Sequence, residues 1–472
     1  VNIGDEVLNN TLWGLNTSYN TEFQWLTSLI NKIPTMNATA PSRLSLNAEF
    51  AQLIPGKGKN NSLSYIDDFE SSQSGYDLRT PYSWSLASTP SMFPESKYSN
   101  NADYGKNRAL ISWYYIDRMF TQKNSSLTPA HIKNDLDQLS NHYVREIDVS
   151  EVFPNKELGY GESSVLQVLN LSYYPTERGP YNVDADKINN DGSLKFPEQR
   201  WGGIMRKMDN TDFEAANIEY LQFWMMDPFL DPDNPGNESQ VGYLYFNFGE
   251  ISEDILKDGM KSFENGLPVD GDESNLTTTV WGKVSKRQSM TYAFENADGA
   301  REKQDVGLDG LTNNEEFTFS TYSDFLEKLK QNTTAEAQAK MLEDPFSPLN
   351  DPAGDNYHFY RGVDYDDMQL DILSRYKHYN GVEGNSSSPD DAADKYYQSS
   401  KSVPDVEDIN QDNTLNEYER YYEYGIKISP QNLQVGRNYI TDKRTTVVRL
   451  RNGQESEVTS VSYTHLTLPT NS

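Results

Sequence analysis

The chain has 472 residues, 36% of them hydrophobic and 12% aromatic, with 31 Tyr and no Cys. Its 41 basic and 71 acidic residues leave a net charge of −30, which repels nucleic-acid phosphates and anionic lipid surfaces alike. Without Cys there are no disulfides, thiolate nucleophiles or Cys-ligated zinc or iron–sulfur sites, and no apolar run approaches the roughly 20 residues of a membrane helix.

The length predicts two or three units. The start at Val1, with neither Met nor a signal peptide, reads as an interior piece of a longer protein. Residues 1–60 are predicted as alternating strands with a short helix. In WGLNTSYNTEF, Trp13, Leu15, Thr17 and Tyr19 fall on one side of a strand and Asn16, Ser18 and Asn20 on the other. Phe23, Leu26, Ile30 and Ile33 then follow helical spacing until Pro34 stops it. Leu44–Ile54 alternates again, with Leu44, Leu46, Ala48 and Phe50 opposite Ser45, Asn47 and Glu49. Period two marks an oily face; it leaves open whether protein core or lipid covers it.

Residues 61–140 read as loop-rich, with a buried strand at Ala109–Phe120. Residues 141–300 are the most strand-rich, and runs such as YLQFWMM and YLYFNF are oily on both faces. That suits a β-sandwich-like domain and reads as core rather than a glycan-stacking platform. Residues 301–430 are an acidic loop followed by helical text, SDFLEKLKQ and AEAQAKMLE. Residues 431–460 read as strands, with Asn452-Gly453 as a hairpin turn. The run VSYTHLTLPT breaks this style and resembles a translated sequencing adapter, so 461–472 is set apart as an artefact.

None of the five His lies in an HExxH pattern, and GxSxG, Walker A and GxGxxG are absent, so nothing points to an enzyme. The strongest chemical pattern is DINQDNTLNEYE. It sets Asp408, Asn410, Asp412, Thr414, Asn416 and Glu419 at positions 1, 3, 5, 7, 9 and 12 of a calcium loop, with Asn413 where Gly is usual. LNEYERYYEY is a possible exit helix, but SVPDVED cannot enter one, so an ion-free acidic loop stays open beside calcium. In DVGLDGLTNNEE, Asp305, Asp309 and Glu316 hold positions 1, 5 and 12 with Gly310 at 6, but Gly307 leaves position 3 empty and an ion-free turn is favoured. A third frame begins at Lys187 and is discounted.

Eight stretches, in order, resemble one family. They are SYIDDFESSQS (64–74), WSLASTP (84–90), ERGPYN (177–182), RWGGIMR (200–206), TDFEAANIEYLQFWMMDPF (211–229), FGEISEDILKDG (248–259), RYKHYNGVEGNS (375–386) and VGRNYITDKRT (435–445). The family is SprA (Sov), cell-surface proteins of gliding motility and type IX secretion in Bacteroidetes, and the likeness runs from about residue 11 to 455. It implies a giant outer-membrane β-barrel that exports folded cargo, with no catalytic or metal-ligating residues to carry over. It also tips the oily face of Leu44–Ile54 toward lipid, since a tilted barrel strand needs about 9–11 residues.

The expected fold is therefore mainly β: outer-membrane β-barrel strands with an inserted β-sandwich or jelly-roll-like domain and short helices. The expected function is a structural part of the secretion translocon, located in the outer membrane. Its expected partners are cargo proteins and other secretion components, with no nucleic acid. The competing reading is a calcium-dependent surface adhesin or glycan-binding module.

Overall fold

The computed structural model describes residues 11–35, 39–54, 75–122, 125–209, 213, 218–230, 241–288, 292–386 and 401–466. The SYIDDFESSQS motif lies outside them. Contacts divide the chain into two units, Val1–Tyr76 and Asp77–Ser472.

The first unit is built on a hairpin. Strand β1 (Thr11–Phe23) leads into helix α1 (Gln24–Ile30), and β2 (Ser42–Ile54) returns antiparallel over the full length of β1, from Thr11 opposite Ile54 to Phe23 opposite Ser42. This register carries the sequence alternation across both strands. Leu15 faces Phe50, Thr17 faces Ala48, Tyr19 faces Leu46 and Thr21 faces Leu44, all on one side. On the other side Asn16 donates to Glu49 at 2.7 Å, Arg43 pairs with Glu22 at 2.8 Å, and Ser45 donates to Asn20. The α1 end is tied down by the Ser42 amide, which donates to Thr27 Oγ1 at 2.7 Å.

The second unit contains small sheets. Strand β3 (Ala109–Tyr114) pairs with β4 (Asn170–Arg178). Strand β5 (Tyr220–Met226) is an edge of a three-stranded sheet, and β6 (Gly242–Glu250) pairs with a strand near the chain's far end. Helices α2 (Ser320–Asn332) and α3 (Ala335–Glu343) stand where the sequence places helical text. Then come β7 (Arg420–Ile428), β8 (Ile440–Arg449) and β9 (Glu455–Leu466). Strand β7 pairs with β6, and β9 lies between β8 and β5. The predicted turn joins β8 to β9, with Gly453 at φ 88°. The adapter-like run continues β9 as far as Leu466, and Val461 and Tyr463 are buried.

Two expectations change. With 28% strand and 22% helix, and no described sheet closed into a barrel, the fold is mixed and only loosely mainly β. Strands β4, β5 and β6 of the predicted 141–300 sandwich take partners from 109–114, 455–466 and 420–428, all outside that span. Oil on both faces shows that a strand is covered on both sides; it does not reveal which distant segment covers it. The strand predicted at Ala109–Phe120 ends at Tyr114, and a helical turn capped by Asp117 follows, with the Met119 amide donating to its carboxylate at 2.8 Å.

The main core gathers around Trp281, Tyr181, Tyr104, Trp113 and the inner stripe of α2, which is Tyr322, Phe325, Leu326 and Leu329. A second core stacks Tyr376 between Tyr114 at 4.3 Å and Tyr360 at 4.7 Å.

Beside the second core, the His378 ring stacks on Phe346 at 3.8 Å. Burial, with help from the charges of Lys377 and His358, pushes its pKa from 6.5 down to about 3. On acidification the unfolded chain takes this proton before the folded one does. The stability His378 contributes is therefore complete above about pH 6.5 and lost as the pH falls toward 3. Buried carboxylates elsewhere act in the opposite sense, so the comparison must be with a variant. His378→Phe keeps the stack and removes the titration. Because the ring is only half-buried, its gain over the parent between pH 7 and pH 4 is expected to be roughly 2 kcal/mol, read from paired thermal melts. Parallel melting-versus-pH curves for the two proteins would contradict this.

Candidate functional site

Three segments of the second unit bring acids together. The turn Asn313–Glu316 opens on Thr312, whose hydroxyl accepts the Glu315 amide while the Glu315 carboxylate accepts the Thr312 amide at 3.1 Å. This reciprocal cap turns the following Glu316 inward. In the second segment, Asp351 accepts the Gly354 amide at 2.7 Å and closes a turn that presents Asp355. The third segment is held by single bridges from Glu383 to Val306 and to Asn356. Carboxylate oxygens of Glu316, Asp355 and Glu383 lie within 4.8 Å of one another. Gly307 makes room for them. It sits at φ 78°, and a Cβ there would lie 2.2 Å from Asp355 Oδ2.

Glu316 and Asp355 are fully buried, and Glu383 is partly so. One oxygen of each buried pair member is held: Glu316 Oε2 accepts the Ala353 amide at 2.7 Å, and Asp355 Oδ2 accepts the Tyr181 hydroxyl at 2.6 Å. Asp309 stands nearby, accepting the Tyr322 hydroxyl at 2.6 Å. Burial, and then repulsion from Asp309, Asp351 and Glu383, pushes Glu316 up to about 10. Burial and the charges of Asp309 and Asp351 push Glu383 up to about 8. Asp355 is driven well above its usual range by burial, Asp309 and Glu316. The nearby cation, Arg178, spends its hydrogen bonds on the carbonyls of Asn182, Pro352 and Asp351. Among the described residues, no ion pair reaches any of the three acids.

The loop read from spacing as a calcium loop is arranged differently. The run offered as an exit helix, LNEYERYYEY, passes instead into strand β7 from Arg420 onward. Asn413 adopts φ 66°, the left-handed conformation its position requires. Asp408 is buried, and its two oxygens accept the Asp412 and Asn413 amides at 3.0 Å each. Asp412 accepts the Thr414 amide and hydroxyl, and its second oxygen accepts from the Asn410 side chain at 3.2 Å. The Asn416 side chain accepts the Tyr418 amide, and Glu419 turns away to the Ser252 amide and the Ser88 hydroxyl. The buried Lys261 ammonium donates to the Asn413 carbonyl at 2.9 Å and lies 3.8 Å from Asp408. The loop thus has a positive charge of its own.

Of the second spaced set, only Glu316 joins the three-acid cluster. Asp305 accepts the Ser386 amide, and Asp309 is held by Leu311 and Tyr322. Spacing did not single out Asp355 or Glu383, although each sits beside a Gly in a loop-rich stretch, at AGDN and VEGN.

The hairpin is the other candidate feature. No described residue of β1 or β2 is buried, and Leu15 and Leu46 are 64% and 54% exposed. No helix among the described residues is long and apolar enough to cross a membrane.

Residues 324–464 match the model of a family described as motility related/secretion protein, and no curated protein matches the chain. The match takes in most of α2, all of α3, the Glu383 and 408–419 regions, and the strands β7 and β8, with most of β9. The class is therefore that of motility- and secretion-related proteins. Over this span the chain is similar to the SprA family, in agreement with the resemblance carried by the sequence stretches.

Proposed function

We propose that this chain is a structural part of an outer-membrane secretion and motility apparatus, with the β1–β2 hairpin as two strands of its membrane wall. The observation that carries this reading is the hairpin's two-sidedness. Leucine, phenylalanine, tyrosine and tryptophan line one face and stand exposed, while an Asn–Glu, Arg–Glu and Ser–Asn ladder lines the other. A barrel wall needs this division, lipid on one side and water on the other. The length is adequate: strands of 13 residues extend ~44 Å, and a tilt of ~45° brings that to roughly 30 Å, the depth of a bilayer's hydrocarbon core. The match of residues 324–464 to a motility- and secretion-related family supports the same setting and makes secretion components and exported cargo the natural partners.

The chain has no Cys, so single cysteines can be placed on a blank background. In intact cell envelopes, Leu15→Cys and Leu46→Cys are expected to resist a membrane-impermeant maleimide, while Asn16→Cys and Asn47→Cys react. Equal labelling of both sets would remove the wall reading.

A further inference from the structure

We propose that Glu316, Asp355 and Glu383 bind one calcium ion inside the second unit. The proximity of the three carboxylates is one observation, since their oxygens lie within 4.8 Å of one another. The second observation is how the remaining oxygens are left. Glu316 Oε1, Asp355 Oδ1 and Glu383 Oε2 are buried without any hydrogen-bond partner, and two of the three residues are fully buried. The opposite oxygens of Glu316 and Asp355 are fixed by the Ala353 amide and the Tyr181 hydroxyl. Each of these acids is therefore gripped from behind and left with a bare acceptor, as protein groups hold ligands for an ion.

Buried anions without a paired counter-charge are expensive; Arg178 is close enough to feel Glu316 and Asp355, but no described side chain forms an ion pair with the three acids. Arg178 is turned to carbonyls, and the nearby phenols are committed to Asp355 and Asp309. The donor set consists of carboxylates alone, with neither imidazole nor thiolate, which favours a hard cation over zinc or copper. Magnesium keeps much of its water when bound, whereas the bare oxygens here are shut off from solvent. Calcium tolerates irregular oxygen cages and gives up water more readily. One ion here would clasp the segments around residues 316, 355 and 383, which are otherwise joined by a few bridges.

The test uses the full chain, stripped with chelator, dialysed, and titrated with calcium and separately with magnesium by calorimetry and thermal melting. One calcium per chain is expected, with a rise in melting temperature that magnesium at equal concentration does not reproduce. Glu316→Gln and Asp355→Asn should each weaken calcium binding at least tenfold, while Asp412→Asn, in the 408–419 loop, leaves it intact. Loss of binding in Asp412→Asn with retention in Glu316→Gln would overturn the assignment. If the cluster variants fail to fold, the parent decides: one calcium retained through gel filtration, and a melting temperature that falls on chelation, sustains it. A parent that neither retains nor binds calcium refutes it.

Discussion

Arg200→Ala is expected to cost about 3–5 kcal/mol, the usual result of removing one partner of a buried ion pair. The Arg200 and Asp184 side chains meet at 2.8 Å and are 0% and 1% exposed. The guanidinium also donates to the carbonyls of Lys106, Lys187 and Lys195 and to the Asn107 side-chain oxygen, so its loss takes a donor from five acceptors at once. Against a typical total of about 5–15 kcal/mol, that is enough to populate unfolded chain at growth temperature. Asp184→Asn keeps an acceptor in place and should lose less. Urea midpoints compare the three proteins, and an Arg200→Ala midpoint matching the parent would mean that water reaches Asp184.

Trp281→Ala is expected to cost about as much, roughly 3–5 kcal/mol, for a different reason. Trp281 is wholly buried in the main core, edge-on to Tyr181 at 6.1 Å, and its Nε1 donates to the Leu256 carbonyl at 2.6 Å. Truncation opens a cavity and orphans that carbonyl. Trp281→Phe restores most of the volume without the donor and should fall between the two. If Phe proved as damaging as Ala in the same urea series, the hydrogen bond would outweigh the packing.

What the sequence makes legible is whatever repeats locally. Leu15, Tyr19, Leu46 and Phe50 declare their strand by period two, and Tyr322, Phe325, Leu326 and Leu329 declare α2 by helical spacing. Asn452-Gly453 announces its turn. Pairing between distant segments is not legible. Nothing in YLQFWMM names β9 as its neighbour, and nothing in YLYFNF names β7. The acids divide in the same way. The twelve-residue frame at Asp408 is visible because its spaced oxygens lie in one continuous run, but the neutralising Lys261 comes from another segment. Glu316 falls in a spaced frame, but Asp355 and Glu383 fit none, because folding alone brings the three together.

Among the described residues, the hairpin sheet contains β1 and β2 alone. Each strand therefore has a flank whose amides and carbonyls lack a ladder partner among the described residues. In water such flanks stay hydrated, though they invite edge-to-edge sticking. In hydrocarbon every orphaned group costs several kcal/mol, so two strands cannot rest there by themselves. A membrane role for this hairpin thus carries an assembly requirement: further strands must zip onto both flanks before or during insertion, and the step most exposed to failure is seam closure rather than folding of the body.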